Sequence, residues 1–287
     1  MSRREAVPTS REVVGPYVAQ CAATIRTSLP LVLADEPDAI HAARVATRRL
    51  RSALRTFRPL WTHGYSSLRD ELRWYAGLLS RPRDLEVVGD WLASLLSGPE
   101  AAALYGEGVA AEVTERVRLD REEALATMRT ELEGDRFSEL VHALPPVDWS
   151  PAADVPADLL VAGLAAVPGQ KALEEAMSLP HGEDRPAALH ELRKTTKEAR
   201  YAVDALGPGA EQQAALWKKV TGTLGVAQDG QVAQGVLKEL AKDAPAHRAV
   251  WDALSAMVAQ EAAVAESEGL ALVAQTAELR PARVSLR

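Results

Sequence analysis

A segment dense in proline lies almost midway along the chain of 287 residues and limits what can form across it. Residues 145–156 hold four prolines with aspartate and serine between them, namely Pro145, Pro146, Pro151 and Pro156. Each proline ring removes a backbone donor and clashes with the preceding helical turn, so no helix is expected to cross this segment. We therefore expect two halves of similar length, with residues 145–156 as the linker between them.

On both sides of this linker, apolar residues recur at steps of three and four, which is typical of amphipathic helices. No stretch keeps for long the period of two that a half-buried strand shows. Proline and glycine divide the pattern into about ten or eleven helices joined by short loops, so the predicted class is all-α. Breaks are expected at residues 30–37, 63–64, 80–82, 98–99, 134, 182, 207–209, 225 and 245.

The two halves share an internal repeat. The string from His41 to Arg51 aligns with the string from His190 to Arg200, with histidine, arginine, a basic residue and arginine at the same relative positions. Further along, the string from Gly77 to Asp84 matches the string from Gly222 to Asp229. Two matched blocks in the same order and at nearly the same separation indicate a duplicated unit. We expect the halves to be related by a pseudo-two-fold axis.

The repeated helix is predicted to have one cationic face and one apolar face. At about 100° per residue, its basic side chains fall in a stripe about 100° wide, and its apolar side chains lie on the other side. The first stripe comprises His41, Arg44, Arg48, Arg51, Arg55 and Arg58, and the second comprises His190, Arg193, Lys197 and Arg200. Because Asp204 stands where the first copy has Arg55, the second stripe is expected to be shorter and weaker.

The net charge of −7 hides this polarity, because the acids are concentrated at residues 112–133 and 261–268. Arginine offers a planar fork of donors that matches phosphate oxygens, and lysine adds a point charge. Two such helices brought together would line a long basic groove. The pattern therefore predicts a site for an extended polyanion more than for a single nucleotide.

These strings resemble the motifs of the CHAD domain, the conserved histidine α-helical domain. The resemblance rests on His41 to Arg51 with Leu78 to Asp84, and on His190 to Tyr201 with Leu224 to Asp229. It covers about residues 10–270 and implies a single domain of two antiparallel four-helix bundles related by a pseudo-two-fold axis. The halves would be residues 10–144 and 153–270, and residues 271–287 are expected to form a frayed tail.

The function that the resemblance implies is non-catalytic binding of inorganic polyphosphate along a basic groove. Carried over position by position, the expected binding residues are His41, Arg44, Arg48, Arg51, Arg55, His190, Arg193, Lys194, Lys197 and Arg200. Further expected contributions on the third helix of each half come from Arg69, Arg73, Lys218 and Lys219. Asp84 and Asp229 are expected to cap the following helices or to orient nearby arginines.

Two other functions fit the pattern less well. Single-stranded nucleic acid also binds cations, but the stripe has few aromatic side chains on which bases could stack. A metal site built on His41 and His190 would lack a paired histidine motif, and an arginine stands one turn from each histidine, which opposes a second cation. No metal ligand is therefore predicted.

The sequence contains no motif of a known catalytic site. It has no phosphate-binding glycine loop, dinucleotide fingerprint or nucleophile elbow, so no catalytic residue and no cofactor is predicted. The single cysteine, Cys21, excludes a disulfide framework, and no uncharged run approaches the length of about 18 residues that a membrane helix needs. We expect a cytoplasmic protein with no membrane partner, and the resemblance implies association with polyphosphate granules.

Overall fold

The computed structural model describes residues 7–62, 65–96, 107–144, 148–243 and 248–278. These residues form α-helices joined by short loops and 3₁₀ turns, with two isolated bridges and no strand among them, so the prediction of an all-α protein is confirmed. The helices are α1 (Ser10–Leu33), α2 (Ala39–Thr56), α3 (Tyr65–Leu78), α4 (Ser80–Leu96), α5 (Glu107–Leu132), α6 (Asp135–His142), α7 (Val161–Met177), α8 (Arg185–Asp204), α9 (Glu211–Asp243) and α10 (Arg248–Thr276).

Helix α1 begins at a capping box and continues past the first proline of a predicted break. The Thr9 side chain accepts from the backbone N–H of Glu12, and the Glu12 carboxylate accepts in return from the Thr9 N–H. The predicted break at residues 30–37 is found, but the helix passes its first proline, Pro30, and ends at Leu33. The proline removes one helical hydrogen bond, yet Val32 is fully buried, so packing holds the last turn in place.

The second part of the predicted linker is an ordered strap. Pro145 and Pro146 lie outside the described residues, but the strap from Asp148 to Pro156 packs against the first half. Its Val155 carbonyl accepts from the backbone N–H of Ser10 at 2.9 Å. The rings of Trp61 and Trp149 lie 4.8 Å apart between centroids. The strap thus packs back onto the helices of the first half.

Helices α9 and α10 form a long pair that corrects two expectations. A break was predicted at Gly225, but α9 runs through it without interruption. A Cβ at Gly225 would have no atom within 4 Å, so the helix passes this position without a close contact. The frayed tail was predicted from residue 271, but α10 continues to Thr276 and buries Leu272 and Val273. Residues 279–287 of that tail lie outside the described residues.

The apolar core does not divide at the boundary between the halves. The larger cluster of buried side chains includes Leu50 and Leu54 of α2 together with Leu192 of α8 and Val220 of α9. A second cluster joins α4 and α5 to the far ends of α9 and α10, around Trp251. The two repeat helices, α2 and α8, also contact each other directly. A shared core therefore fixes how α2 and α8 lie relative to each other. Pseudo-two-fold symmetry of the halves remains a prediction.

We predict opposite effects on stability for two glycine-to-alanine changes in the long helix pair. A Cβ at Gly269 would lie 2.7 Å from Leu224 Cγ, whereas a Cβ at Gly235 meets nothing within 4 Å. Gly269→Ala should lower the free energy of unfolding by about 1–3 kcal/mol through overpacking. Gly235→Ala should raise it by about 0.5–1 kcal/mol because alanine favours a helix interior. Urea denaturation measures both, and equal shifts would contradict the close approach of α9 and α10.

Candidate functional site

Helices α2 and α8 bury one face each and turn their basic residues away from it. On α2 the buried positions include Ala43, Ala46 and Leu50, at the steps of three and four that an amphipathic helix requires. On α8 they include Leu192 and Ala199. The basic stripes are therefore held on the faces that the shared core leaves free.

A cavity of about 460 Å³ lies where the two stripes meet, and we call it the central cavity. Its walls come from α2, α4, α8 and α9, so both halves of the chain contribute. The predicted site residues that it brings together are His41, Arg44, Arg48, His190, Arg193 and Lys197. These are the first three members of each predicted stripe, and the matched pair Arg48 and Lys197 line the same space.

Two aspartates lie among these cations. Arg44 donates from Nη1 to Asp84 Oδ1 at 2.7 Å and to the Ser80 carbonyl at 3.3 Å. Arg193 Nη2 lies 3.8 Å from Asp229 Oδ1. The expectation that these aspartates cap following helices is wrong, since both stand inside α4 and α9. The alternative expectation, that they orient arginines, is confirmed by the two ion pairs.

Two arginine donors at the cavity have no hydrogen-bond partner among the described residues. The Nε atoms of Arg48 and Arg193 are buried, and neither makes a hydrogen bond to any residue that the structure describes. Burial lowers the pKa of both guanidinium groups from the ordinary arginine value. Arginine remains charged nonetheless, so these atoms are charged donors without acceptors. The walls of the cavity thus carry guanidinium groups whose hydrogen-bonding capacity the described residues do not fully use.

The cation cluster also changes the pKa values of Lys197 and His41. Burial, followed by the charges of Arg193, Arg48 and Arg44, lowers the pKa of Lys197 to about 7. Burial, followed by Arg83 and Arg48, lowers the pKa of His41 below its ordinary value. Both shifts have the sign that desolvation among like charges produces. The ligand-free cavity thus disfavours further positive charge.

Helix α9 contributes cavity residues that the sequence reasoning did not select. Gln228 Oε1 lies 3.1 Å from His190 Nδ1, and Gly222 and Gly225 line the cavity without a side chain. Arg83 lines it as well, and it occupies the position in the repeat that corresponds to Gln228. The sequence offers Arg83 as a residue that could close one end of the groove, but its counterpart Gln228 carries no charge, and the requirement for charge in both copies left this pair out of the expected site.

Four further predicted residues form a separate group outside the cavity, which we call the outer arginine cluster: Arg51, Arg55, Arg69 and Arg73. Burial, followed by the charges of Arg73 and Arg69, lowers the pKa of Arg51. Arg55 forms an ion pair with Glu198 of α8, and Arg73 lies 3.3 Å from Asp70. The outer arginine cluster extends the cationic surface of α2 along its C-terminal half.

The remaining predicted residues are spread over other surfaces. Arg200 donates to Thr221 Oγ1 at 3.2 Å, and Arg200 and Lys218 both act on the Asp204 carboxylate. Lys194 pairs with Glu191 at 2.7 Å on an exposed face of α8. Lys219 lines a different groove, between α9 and α10. The structure thus places Lys194 and Lys219 away from the central cavity.

The part of the chain that the structure describes contains neither of two other kinds of site. No group of three or more histidine, cysteine, aspartate or glutamate side chains converges there in a way that could hold a metal ion. None of the described helices is both long and apolar enough to span a membrane.

Comparison with known proteins identifies the family. The sequence profile of the CHAD domain matches residues 16–238, and the chain belongs to the CHAD domain family. Two Mycobacterium tuberculosis proteins, the uncharacterized proteins MT2285 and Rv2226, are 31% identical to it over 214 residues. The matched region is 71% of this chain but 40% of each relative, so the chain spans well under half of their length.

Solved structures show the same fold. PptA from Streptomyces chartreusis superimposes with a TM-score of 0.75 at 24% identity, covering 93% of this chain and 99% of that one. The crystal structure of the CHAD domain from the plant Ricinus communis gives a TM-score of 0.73 at 23% identity, covering 98% and 96%. The all-helical fold is therefore that of CHAD domains.

We predict that Lys197 makes the stability of the ligand-free protein rise with pH. Its pKa is about 7 in the folded chain and that of an ordinary lysine, about 10.4, in the unfolded chain. Between these values the unfolded chain binds more protons, so the free energy of unfolding increases with pH. From about pH 6 to about pH 9, wild type should gain about 1–3 kcal/mol relative to Lys197→Gln.

Urea denaturation in buffers without phosphate or sulfate measures this difference. Lys194→Gln is the matched control, because Lys194 stands on the same helix but is exposed and paired with Glu191. It should follow the wild-type dependence on pH. Parallel curves for wild type and Lys197→Gln would show that Lys197 is not held among the arginines.

Proposed function

We propose that this protein binds inorganic polyphosphate without catalysis, in the central cavity and along the outer arginine cluster. The observation that carries the proposal is the meeting of matched basic residues from both halves around one cavity. Arg44 and Arg48 face it from α2, and Arg193 and Lys197 face it from α8. Such a cluster costs free energy in the absence of a ligand, because burial and mutual repulsion both act against the charges.

Phosphate is the anion that suits these donors best. A guanidinium group offers parallel N–H donors that match two oxygens of one phosphate, and charged hydrogen bonds of this kind are roughly twice as strong as neutral ones. The unpartnered Nε atoms of Arg48 and Arg193 supply donors that no described residue uses. Asp84 and Asp229 hold Arg44 and Arg193 at the cavity wall, so these arginines stand ready for the ligand.

A polymer uses both cationic regions, whereas a single phosphate uses one. The central cavity and the outer arginine cluster lie on successive turns of α2, from Arg44 to Arg55. Once one phosphate is held in the cavity, the next ones in the chain are presented to the cluster at high effective concentration. Affinity should therefore increase with chain length until both regions are filled.

The same residues offer little for catalysis. Hydrolysis or transfer of phosphate commonly uses Mg²⁺ or Mn²⁺, which carboxylates hold against the phosphate oxygens. The two carboxylates of the central cavity are instead paired with arginines. We infer that a bound chain is retained and not cleaved.

Single-stranded nucleic acid remains the second candidate ligand, since its phosphates would meet the same donors. Tyr65 stands beside Arg58 and Arg69 and offers one surface on which a base could stack.

We predict that removing one cavity charge from either half weakens polyphosphate binding. Arg48→Gln and Lys197→Gln should each raise the Kd by about fivefold to a hundredfold, the range expected for loss of one charge-assisted contact. Arg48→Gln should have the larger effect, because arginine grips phosphate with two donors and lysine with one. The measurement is isothermal titration calorimetry with long-chain polyphosphate at fixed salt and pH.

The matched control is Arg118→Gln, which removes one positive charge from an exposed arginine of α5. Arg118 pairs with Glu115 at 2.6 Å and with Glu122 on its own helix. Binding should stay within about twofold of wild type, and helical circular dichroism should be unchanged for every variant. If Lys197→Gln binds like wild type while Arg48→Gln does not, the site does not join the two halves.

We predict that polyphosphate stabilises the protein far more than orthophosphate does. A ligand that binds only the folded chain raises its stability with the logarithm of ligand concentration over Kd. At equal total phosphate, long-chain polyphosphate should raise the melting temperature by several degrees and orthophosphate by about one degree or less. The increase should shrink steeply with added salt, since counterions are released on binding.

Two comparisons in the same melting assay would contradict the proposal. An equal increase with orthophosphate would indicate a pocket for a single phosphate instead of an extended site. A larger increase with single-stranded RNA than with polyphosphate, at the same phosphate concentration and salt, would favour the second candidate ligand.

A further inference from the structure

Lys197 is a lysine at a position where the other copy of the repeat has an arginine. Arg48 is its counterpart, and both side chains line the central cavity. The difference matters because arginine keeps its charge in any protein environment, whereas a desolvated lysine readily gives up its proton. Among the described residues that line this cavity, Lys197 is the one lysine. The cavity therefore contains one amine whose charge can be lost near neutral pH, beside the imidazoles of His41 and His190.

Charged groups face Lys197 from every helix that forms the cavity. Cations predominate, and the two carboxylates are each placed against an arginine, with Asp84 beside Arg44 and Asp229 beside Arg193. Among the described residues, no acid forms an ion pair with Lys197. The facing groups are His41, Arg44 and Arg48 on α2, Arg83 and Asp84 on α4, His190 and Arg193 on α8, and Asp229 on α9.

We propose that Lys197 couples anion binding to proton uptake, so that the cavity binds polyphosphate together with one proton from solvent. This inference rests on the proposed function and specifies how the same site is regulated. The ammonium form is unfavourable in the empty cavity, where four arginines line the same space. A phosphate chain brings negative charge to the same space, and the proton then joins the Nζ lone pair.

The direction of the coupling follows from the charges. In the empty cavity, burial and the neighbouring arginines lower the pKa of Lys197 to about 7. An anion within hydrogen-bonding distance favours the charged form and raises the pKa again. Above about pH 7, therefore, the free protein lacks a proton that the complex holds. By linkage, binding must weaken as pH rises.

The other groups of the cavity are separated from Lys197 by substitution. His41 has a pKa below the ordinary histidine value. His190 also lines the cavity, and an anion bound there would face both imidazoles. Arginines keep their charge in this range, and the inner phosphates of a long chain each carry one strongly acidic group. A Lys197→Arg variant leaves both histidines in place, so the proton uptake that it loses is that of Lys197.

The test is calorimetric titration of long-chain polyphosphate at about pH 8 in two buffers that differ in ionisation enthalpy. The dependence of the observed heat on buffer gives the number of protons taken up. Wild type should take up close to one proton, and Lys197→Arg, which keeps the charge but cannot lose it, should take up nearly none. Lys194→Arg is the matched control on the exposed side of α8 and should behave as wild type.

Affinity measured against pH provides the second readout. Wild-type binding should weaken by roughly tenfold per pH unit between about pH 7.5 and about pH 9.5, while Lys197→Arg should show little change. Proton uptake that persists in Lys197→Arg, or wild-type binding with no uptake, would overturn the role of Lys197 alone. At about pH 6, Lys197 is charged in both the free protein and the complex. Failure of wild type to bind polyphosphate at that pH would overturn the proposed function itself.

Discussion

The contact between α2 and α8 is the constraint on which the rest of the site depends. Each helix buries an apolar face in a core that both halves share, and each therefore turns a row of cations toward the other. The hydrophobic burial of residues such as Leu50 and Leu192 holds like charges together against their repulsion. The cavity between the helices and the concentration of cations in its walls are both consequences of this arrangement.

The acids near the site limit this repulsion without cancelling it. Asp84 and Asp229 each neutralise one arginine at the cavity wall, while Arg48 and Lys197 have no acidic partner among the described residues. Glu198 and Asp204 act in the same way further along α8, where they meet Arg55 and Arg49. The positive charge is therefore least compensated where Arg48 and Lys197 line the cavity. A phosphate chain would find its strongest contacts there.

Divergence between the two copies of the repeat gives the site its asymmetry. The first copy extends the cationic surface through the outer arginine cluster, and the second copy replaces Arg55 by Asp204 and Arg48 by Lys197. The first change shortens the surface on one side, since Asp204 pairs with arginines instead of binding a ligand. The second places a lysine, which can lose its charge, where the first copy has an arginine, which cannot. The two copies of the repeat thus line one cavity, and their differences give each wall a different chemistry.

The sequence by itself determined the helical class, the two basic helices and most of the basic residues that line the cavity, because periodicity and charge are local properties of the chain. It also paired Arg48 with Lys197 through the repeat. Only the tertiary structure decided that Lys194 and Lys219 lie on other surfaces and that Arg83 and Gln228 face the cavity. It also decided that the aspartates of α4 and α9 pair with arginines of α2 and α8. The same holds for Gly225, which a local rule makes a break but through which α9 runs without interruption. The physical reason is that burial, desolvation and ion pairing depend on neighbours distant in the chain, and these neighbours are set by the shared core.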